Sequence, residues 1–198
     1  MRLLGKRTGF SLPCGWCLTI CVWYLLQSFP AVAADTTQEL LEVKTDPAGG
    51  VRAIARMTFP ASPDIIQSML TDYQHWPNLF EVQMRVIDVK IREGVATTDL
   101  RIDHALLPGE RRLVTESREM PNGGIVTDLV GGDFKRYHRV WKLAPVHGGT
   151  ETIADFELVV AIDSIVPDWL VALATRRELE AHFRIVKEKA LARSKLEK

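Results

Sequence analysis

From Val51 to Ala161 apolar and polar residues alternate in short runs, whereas from Pro167 to Ala190 the apolar spacing changes to three and four. The first pattern predicts strands with one covered face, the second an amphipathic helix. On that helix, steps from Trp169 reach Ala172, Arg176, Leu179, Phe183, Val186 and Ala190, flanked by Leu170, Leu173 and Ile185. Arg177, Glu178, Lys187, Glu188 and Arg193 fall on the far side. Pro167 suits a first turn, where its missing N–H would be unpaired anyway. At about 1.5 Å per residue the segment runs about 36 Å, enough to cross a small domain. A curved sheet with one open face needs such a cover.

The strands can be placed in order. Leu40–Lys44 and Val51–Phe59 flank the turn residues Asp46-Pro47-Ala48-Gly49-Gly50 and read as a hairpin. Ser62 and Pro63, followed by Ile65, Ile66, Met69 and Leu70, predict a short helix capped by Ser62. Trp76-Pro77-Asn78-Leu79-Phe80 predicts a second helical turn. Six runs follow: Val82–Ile91, Val95–Leu106, Arg111–Met120, Ile125–Val130, Phe134–Pro145 and Thr150–Ala161. Their connections are too short for crossovers, so neighbours are antiparallel. Within Val82–Ile91 the apolar phase slips between Val86 and Ile87, which predicts a bulge and a bend. The expected fold class is α+β: a curved antiparallel sheet wrapped around a helix at 167–192, with two short helices near the start.

The N-terminus changes the picture of where the chain works. Arg2, Lys6 and Arg7 precede an apolar run from Trp16 to Phe29 and the small residues Ala31-Val32-Ala33-Ala34. These are the parts of a secretory signal peptide at 1–34, cleaved after Ala33 or Ala34, which leaves a single domain at 35–198. The competing reading is an uncleaved N-terminal anchor, since the apolar stretch is just long enough to span a bilayer. Cleavage is favoured because Thr19, Gln27, Ser28 and Pro30 interrupt the run. Cys14, Cys17 and Cys21 all lie in the signal, so the exported chain would have no disulfide, thiolate metal site or thiol nucleophile. Losing three cations turns the neutral whole slightly acidic, which gives nucleic-acid binding little support. The expected place is the periplasm.

The order of elements, together with several local motifs, resembles the helix-grip fold of the START-like, or SRPBCC, superfamily. Ala61-Ser62-Pro63-Asp64, then Leu70-Thr71-Asp72-Tyr73, then Trp76-Pro77 are similar to that group's opening pattern. Gly132-Asp133-Phe134-Lys135, Trp141-Lys142-Leu143 and Phe156-Glu157-Leu158 are similar to late strands of its polyketide cyclase/dehydrase branch, which sits beside coenzyme Q-binding proteins. The resemblance implies a hydrophobic cavity between sheet and helix for a lipid, sterol, quinone or polyketide. It fixes no reaction.

Few residues invite chemistry. His75, His104, His138, His147 and His182 show no ligand spacing and read as surface or strand-edge residues, so no metal and no cofactor is expected. Asp99 and Asp103 alternate with Arg101, most simply an exposed charge ladder, with Ala96, Thr98, Leu100 and Ile102 facing inward. The serines lack a nucleophile context, and no catalytic residue is assigned.

Alternation and the helical stripe place Trp76, Leu100, Trp141, Phe156, Leu158, Leu179 and Phe183 at the cavity, with Arg176 in the stripe; the resemblance puts Trp141 and Leu143 inside, which brings Tyr137 and Arg139 toward the cavity or its rim. Arg139 and Arg176 are candidates for a ligand's polar head, because a buried arginine must find a partner; the competing reading for Arg176 is that it snorkels to the helix edge. Strand ends two connections apart share a side of a meander. A mouth is therefore expected at Leu106, Leu107, Ile165, Val166 and Trp169, with Arg111 and Arg112 behind, suited to transient contact with a membrane surface, the alternative being that Leu106 and Leu107 tuck inward as a lid. The expected function is an exported, monomeric binding or transfer protein for a hydrophobic small molecule: a lipid, quinone, sterol or hopanoid-like compound. The alternative is a cyclase/dehydrase-type enzyme using Tyr137, Arg139 and Asp99.

Overall fold

The computed structural model describes residues 39–107 and 109–196, so the predicted signal peptide and its cysteines lie outside the described residues. The elements run β1 (Leu40–Thr45), β2 (Val51–Phe59), α1 (Pro63–Leu70), a 3-10 helix (Tyr73–Leu79), β3 (Gln83–Arg92), β4 (Val95–Asp103), β5 (Arg111–Glu119), β6 (Gly124–Gly132), β7 (Phe134–Val146), β8 (Glu151–Ile162) and α2 (Asp168–Leu196). Strand alternation translates directly into faces. In β2, Val51, Ala53, Ala55 and Phe59 are buried, while Arg52 and Arg56 point outward to Glu157 and Asp155 of β8. The second pair holds the Asp155 carboxyl below the usual carboxylate range. Among the described residues the strands form one antiparallel sheet, ordered β1-β2-β8-β7-β6-β5-β4-β3. The meander from β3 to β8 thus brings the last strand back to β2, with Val51 opposite Val160 and Phe59 opposite Thr152.

Irregularities bend this sheet around α2. The ladder between β3 and β4 slips between Val86 and Asp88, where the apolar phase of the sequence also slips. Two further slips fall in the β5–β6 ladder, where Val130 of β6 is the extra residue opposite Val114 and Thr115, and at the start of β7, between Phe134 and Arg136. Extra residues at such bulges increase the local twist and let a strand curl. Gly132 must be glycine: its φ is +102°, and a Cβ there would sit 2.3 Å from the Arg112 carbonyl oxygen. The following Asp133 closes that corner, donating its N–H to the Arg112 carbonyl at 2.8 Å and accepting the Arg112 N–H at 2.6 Å.

The short helices cover one end. Ser62 stands at the N-cap of α1 and Pro63 opens the helix, but the Ser62 hydroxyl makes no capping bond, contrary to the expectation from sequence. Ile65, Ile66, Met69 and Leu70 are buried as their spacing requires. In the 3-10 helix, Trp76 donates its indole N–H to the Leu70 carbonyl at 2.9 Å. That bond fixes the ring plane against the inner face of the sheet.

Helix α2 runs a turn further than its predicted C-terminal end, and the predicted stripe holds at Leu179, Phe183, Val186 and Ala190 but fails toward the N-terminus. Leu179, His182, Phe183, Val186 and Ala190 are buried, and toward the N-terminus the inward positions are Val171, Ala174, Thr175 and Glu178. Trp169 and Arg176, placed inward by stepping from Trp169, are exposed. The stepping started from the largest aromatic, and that residue is off the buried face; from Val171 the same arithmetic gives 175, 178, 182 and 186. No helix among the described residues is long and apolar enough to cross a membrane.

Candidate functional site

Between the sheet and the N-terminal half of α2 lies a cavity of about 180 Å³. β4 and β5 supply Leu100, Ile102, Leu113 and Thr115; β7 and β8 supply Phe134, Tyr137, Arg139, Leu158, Val160 and Ile162. Trp76, Phe80, Val82 and Met84 form one flank, and α2 closes the top with Val171, Ala174, Thr175, Glu178 and Leu179. The loop after β4 completes the rim through His104, Leu106 and Leu107. Nearly all of this wall is apolar, as expected for a space that holds an organic molecule.

The cavity stops where aromatic volume begins. Trp141, Phe156, Phe183 and Phe59 pack against one another, with centroids 5.0 Å apart for Trp141–Phe156, 5.2 Å for Phe156–Phe183 and 6.0 Å for Phe59–Trp141. Edge-to-face packing of this kind fills space densely. His182 joins the cluster. Its Nδ1–H donates to the Leu79 carbonyl at 2.8 Å, and its ring stacks on Phe80 at 4.2 Å. Burial drives its pKa down to about 4, so it is neutral at ordinary pH.

The predicted cavity residues therefore divide. Trp76, Leu100, Tyr137, Arg139, Leu158 and Leu179 line the hollow. Trp141, Phe156 and Phe183 face the same way but make the packed core beside it. Arg176 leaves the site altogether: it is exposed and pairs with Glu180 one turn on, its Nε 3.0 Å from the carboxylate. Stepping from Trp169 misassigned it. His182, which is fully buried, corrects the reading of all the histidines as surface or edge residues, while His104 stands just past the end of β4 on the rim. Val171, Ala174, Thr175 and Glu178 were missed. The signal for them was present, a stretch of small residues on a helix facing large strand residues.

At the mouth, Leu106 and Leu107 line the opening, while Ile165 is 98 % exposed and Trp169 64 %. Asp168 ties this end to the β1–β2 turn, accepting the Gly50 N–H at 3.1 Å. Arg112 is not a free surface cation. It binds Asp99 on the outer face of the sheet, with Nη2 2.8 Å from the carboxylate, and holds that carboxyl below its ordinary pKa. Asp99 therefore points away from the cavity and cannot serve a reaction there. Arg111 is half-buried, with its Nε lacking a hydrogen-bond partner.

The polar groups on the inner face are mostly satisfied by one another. Thr98 and Thr115 share a hydrogen bond of 2.8 Å across β4 and β5, and Ser117 and Thr127 one of 2.9 Å across β5 and β6. Arg139 is different. It is 5 % exposed, its Nε and Nη2 are buried without an acceptor, and its guanidinium lies 4.5 Å over the Trp76 ring. Tyr73 stands edge-on to Trp76, and burial raises the pKa of its phenol. Among the described residues no group of three or more His, Cys, Asp and Glu side chains is placed to hold a metal.

Comparison with known proteins fits this geometry. The family model described as polyketide cyclase / dehydrase and lipid transport matches residues 59–182. No curated protein matches the sequence. Among solved structures, the STAR-related lipid transfer protein from Xanthomonas axonopodis aligns with a TM-score of 0.61 and 12 % identity, covering 77 % of this chain and 98 % of its own. A START superfamily protein from Mycobacterium smegmatis gives 0.57 and 19 %, covering 71 % and 97 %. The Zhui aromatase/cyclase from Streptomyces sp. R1128 gives 0.53 and 10 %, covering 78 % and 94 %. At these identities the likeness is one of fold.

Proposed function

Because the chain belongs to the START-like polyketide cyclase/dehydrase and lipid transport family, we propose that it binds and transfers a hydrophobic small molecule held between sheet and helix. The observation that carries this is the apolar cavity of about 180 Å³ opening between the start of α2 and the loop at Leu106 and Leu107. An empty apolar hollow of this size sacrifices packing that the neighbouring aromatic cluster shows the fold can achieve, and a guest restores those contacts. Asp99 lies outside the cavity, which removes one of the three groups a cyclase-type mechanism would have used. The candidate guests are those of the sequence reading: lipid, quinone, sterol or hopanoid-like compounds.

The basic, then apolar, then small-residue order of 1–34 supports export to the periplasm. Exposed Ile165, Trp169 and Leu173 beside the mouth support transient contact with a membrane, where a carrier collects or releases cargo. Organic extraction of purified protein followed by mass spectrometry tests the central reading. A co-purifying apolar molecule is expected, and Ala174→Trp, which fills the hollow, is expected to lose it. Identical extracts from both forms would refute carriage in this cavity.

A further inference from the structure

Arg139 is the last cavity-facing residue of β7 before Trp141 seals the space, so its charge stands at the closed end. Arginine keeps its proton under all ordinary conditions, so this cation cannot escape burial by neutralising itself. Two of its three nitrogens have no acceptor, and it forms no ion pair among the described residues. The nearby hydroxyls of Thr98, Thr115, Ser117 and Thr127 are already joined in pairs. Trp76 holds the guanidinium from one side and is itself fixed to the Leu70 carbonyl. A fixed, desolvated cation with unused donors is a binding group awaiting an anion.

We propose that the guest is a monoanionic amphiphile that enters head first, its carboxylate bound by Arg139 and its apolar body lying along the cavity toward the mouth. This rests on the carriage reading above. The charge follows from counting permanent cations: among the described residues Arg139 is the one arginine or lysine lining the hollow, so a dianionic phosphate or a diphosphate would bring in uncompensated charge. Glu178, on the mouth side with His104 Nε2 3.7 Å from its Oε1, disfavours the reverse orientation because it would repel a carboxylate left at the rim. The volume fits a compact body. A cavity of about 150 Å³ holds one benzene ring, so 180 Å³ takes a ring or a short chain next to the head. An alkanoate and an aromatic acid share this chemistry.

Calorimetry on purified protein stripped of organic extractables decides it, with decanoate, 4-hexylbenzoate and the neutral 1-decanol as probes at about pH 7.5, where carboxylates are ionised. At least one acid is expected to bind about tenfold or more tighter than decanol, and the better acid identifies chain or ring. Arg139→Met should abolish that preference while keeping decanol binding, and Arg139→Lys should retain part of it. Because Met removes an unpaired buried charge, the empty Arg139→Met protein should melt no lower than the parent, which shows that it folds. Equal binding of acid and alcohol by the parent overturns the head-group inference and leaves carriage standing. A preference that survives in Arg139→Met also overturns it. Binding of none of the probes overturns the head-group inference, and the extraction experiment decides carriage separately.

Discussion

The two halves of the space beneath α2 are built on one plan and end differently. Toward the C-terminus, α2 offers His182, Phe183 and Val186 to Trp141, Phe156 and Phe59, and the rings interlock. Toward the N-terminus it offers Val171, Ala174 and Thr175 to Leu100, Tyr137 and Leu158, and a hollow remains. Apart from the bulge at the start of β7, the strands alternate alike in both regions. What separates core from cavity is the volume of the helix side chains, so a residue's inward direction says nothing about whether it touches protein or guest. Burial of charge follows the same divide: the closed half holds a neutral histidine, the hollow a permanent cation.

Substitutions that act on one half alone test that contrast. Phe183→Ala opens a void in the packed half and should cost about 3–5 kcal/mol. Leu179→Ala borders an existing hollow, so its cost should fall near the low end for leucine, about 2 kcal/mol. Denaturant titration measures both, and equal losses would erase the distinction. Next in size is acid. His182 binds a proton with a pKa of about 4 when folded, against 6.5 in the unfolded chain. The unfolded state therefore takes up more protons between those values. Stability should be whole above about pH 6.5 and fall by about 3 kcal/mol as pH drops through 4. His182→Gln should flatten that part of the profile.

Smaller changes in stability, with larger changes in binding, are expected in the open half. Ala174→Leu places new volume in vacant space, so its effect should stay under about 1.5 kcal/mol, in contrast to overpacking in a filled core. The same change should reduce the yield of any extracted ligand. Least disturbing to the fold are Ile165→Ser and Trp169→Ser at the exposed mouth, within about 0.5 kcal/mol by thermal melting. Liposome flotation should nevertheless show weaker membrane association than the parent. A parallel Leu106→Ser, Leu107→Ser variant reports whether the rim leucines contribute to that contact or only line the opening.

Most of the architecture could be read from periodicity. The phase slip at Val86 announced the bulge, and the short turns dictated antiparallel order, because both are local consequences of backbone geometry. Arg139 was legible as a cavity or rim residue because the resemblance puts Trp141 and Leu143 inside and alternation carries that phase to it. Arg176 was misread because the helical stripe started from Trp169 is displaced from the inner face in the N-terminal half of α2, although it meets that face from Leu179 onward. One exposed tryptophan is enough to shift it. The cavity's extent was not legible, since it depends on which residues meet across the space. His182 escaped notice for the same reason: its acceptor, the Leu79 carbonyl, lies 103 positions away in sequence.

The pairing of β2 with β8 has a consequence for how the molecule comes into being. The hairpin of β1 and β2 leaves one edge of β2 open, and the strand that fills it lies about a hundred residues later. Closing so long a loop precedes its reward in contacts, which places the chain among slow-folding topologies, on the order of milliseconds to seconds. Until β8 is in place, β2 has an unpaired ladder of N–H and C=O groups and a buried face without a partner. The helix that roofs the cavity comes later still, after β8 in the chain. A binding space for a guest can thus exist only at the last step, so a partly folded chain offers the guest nothing to hold.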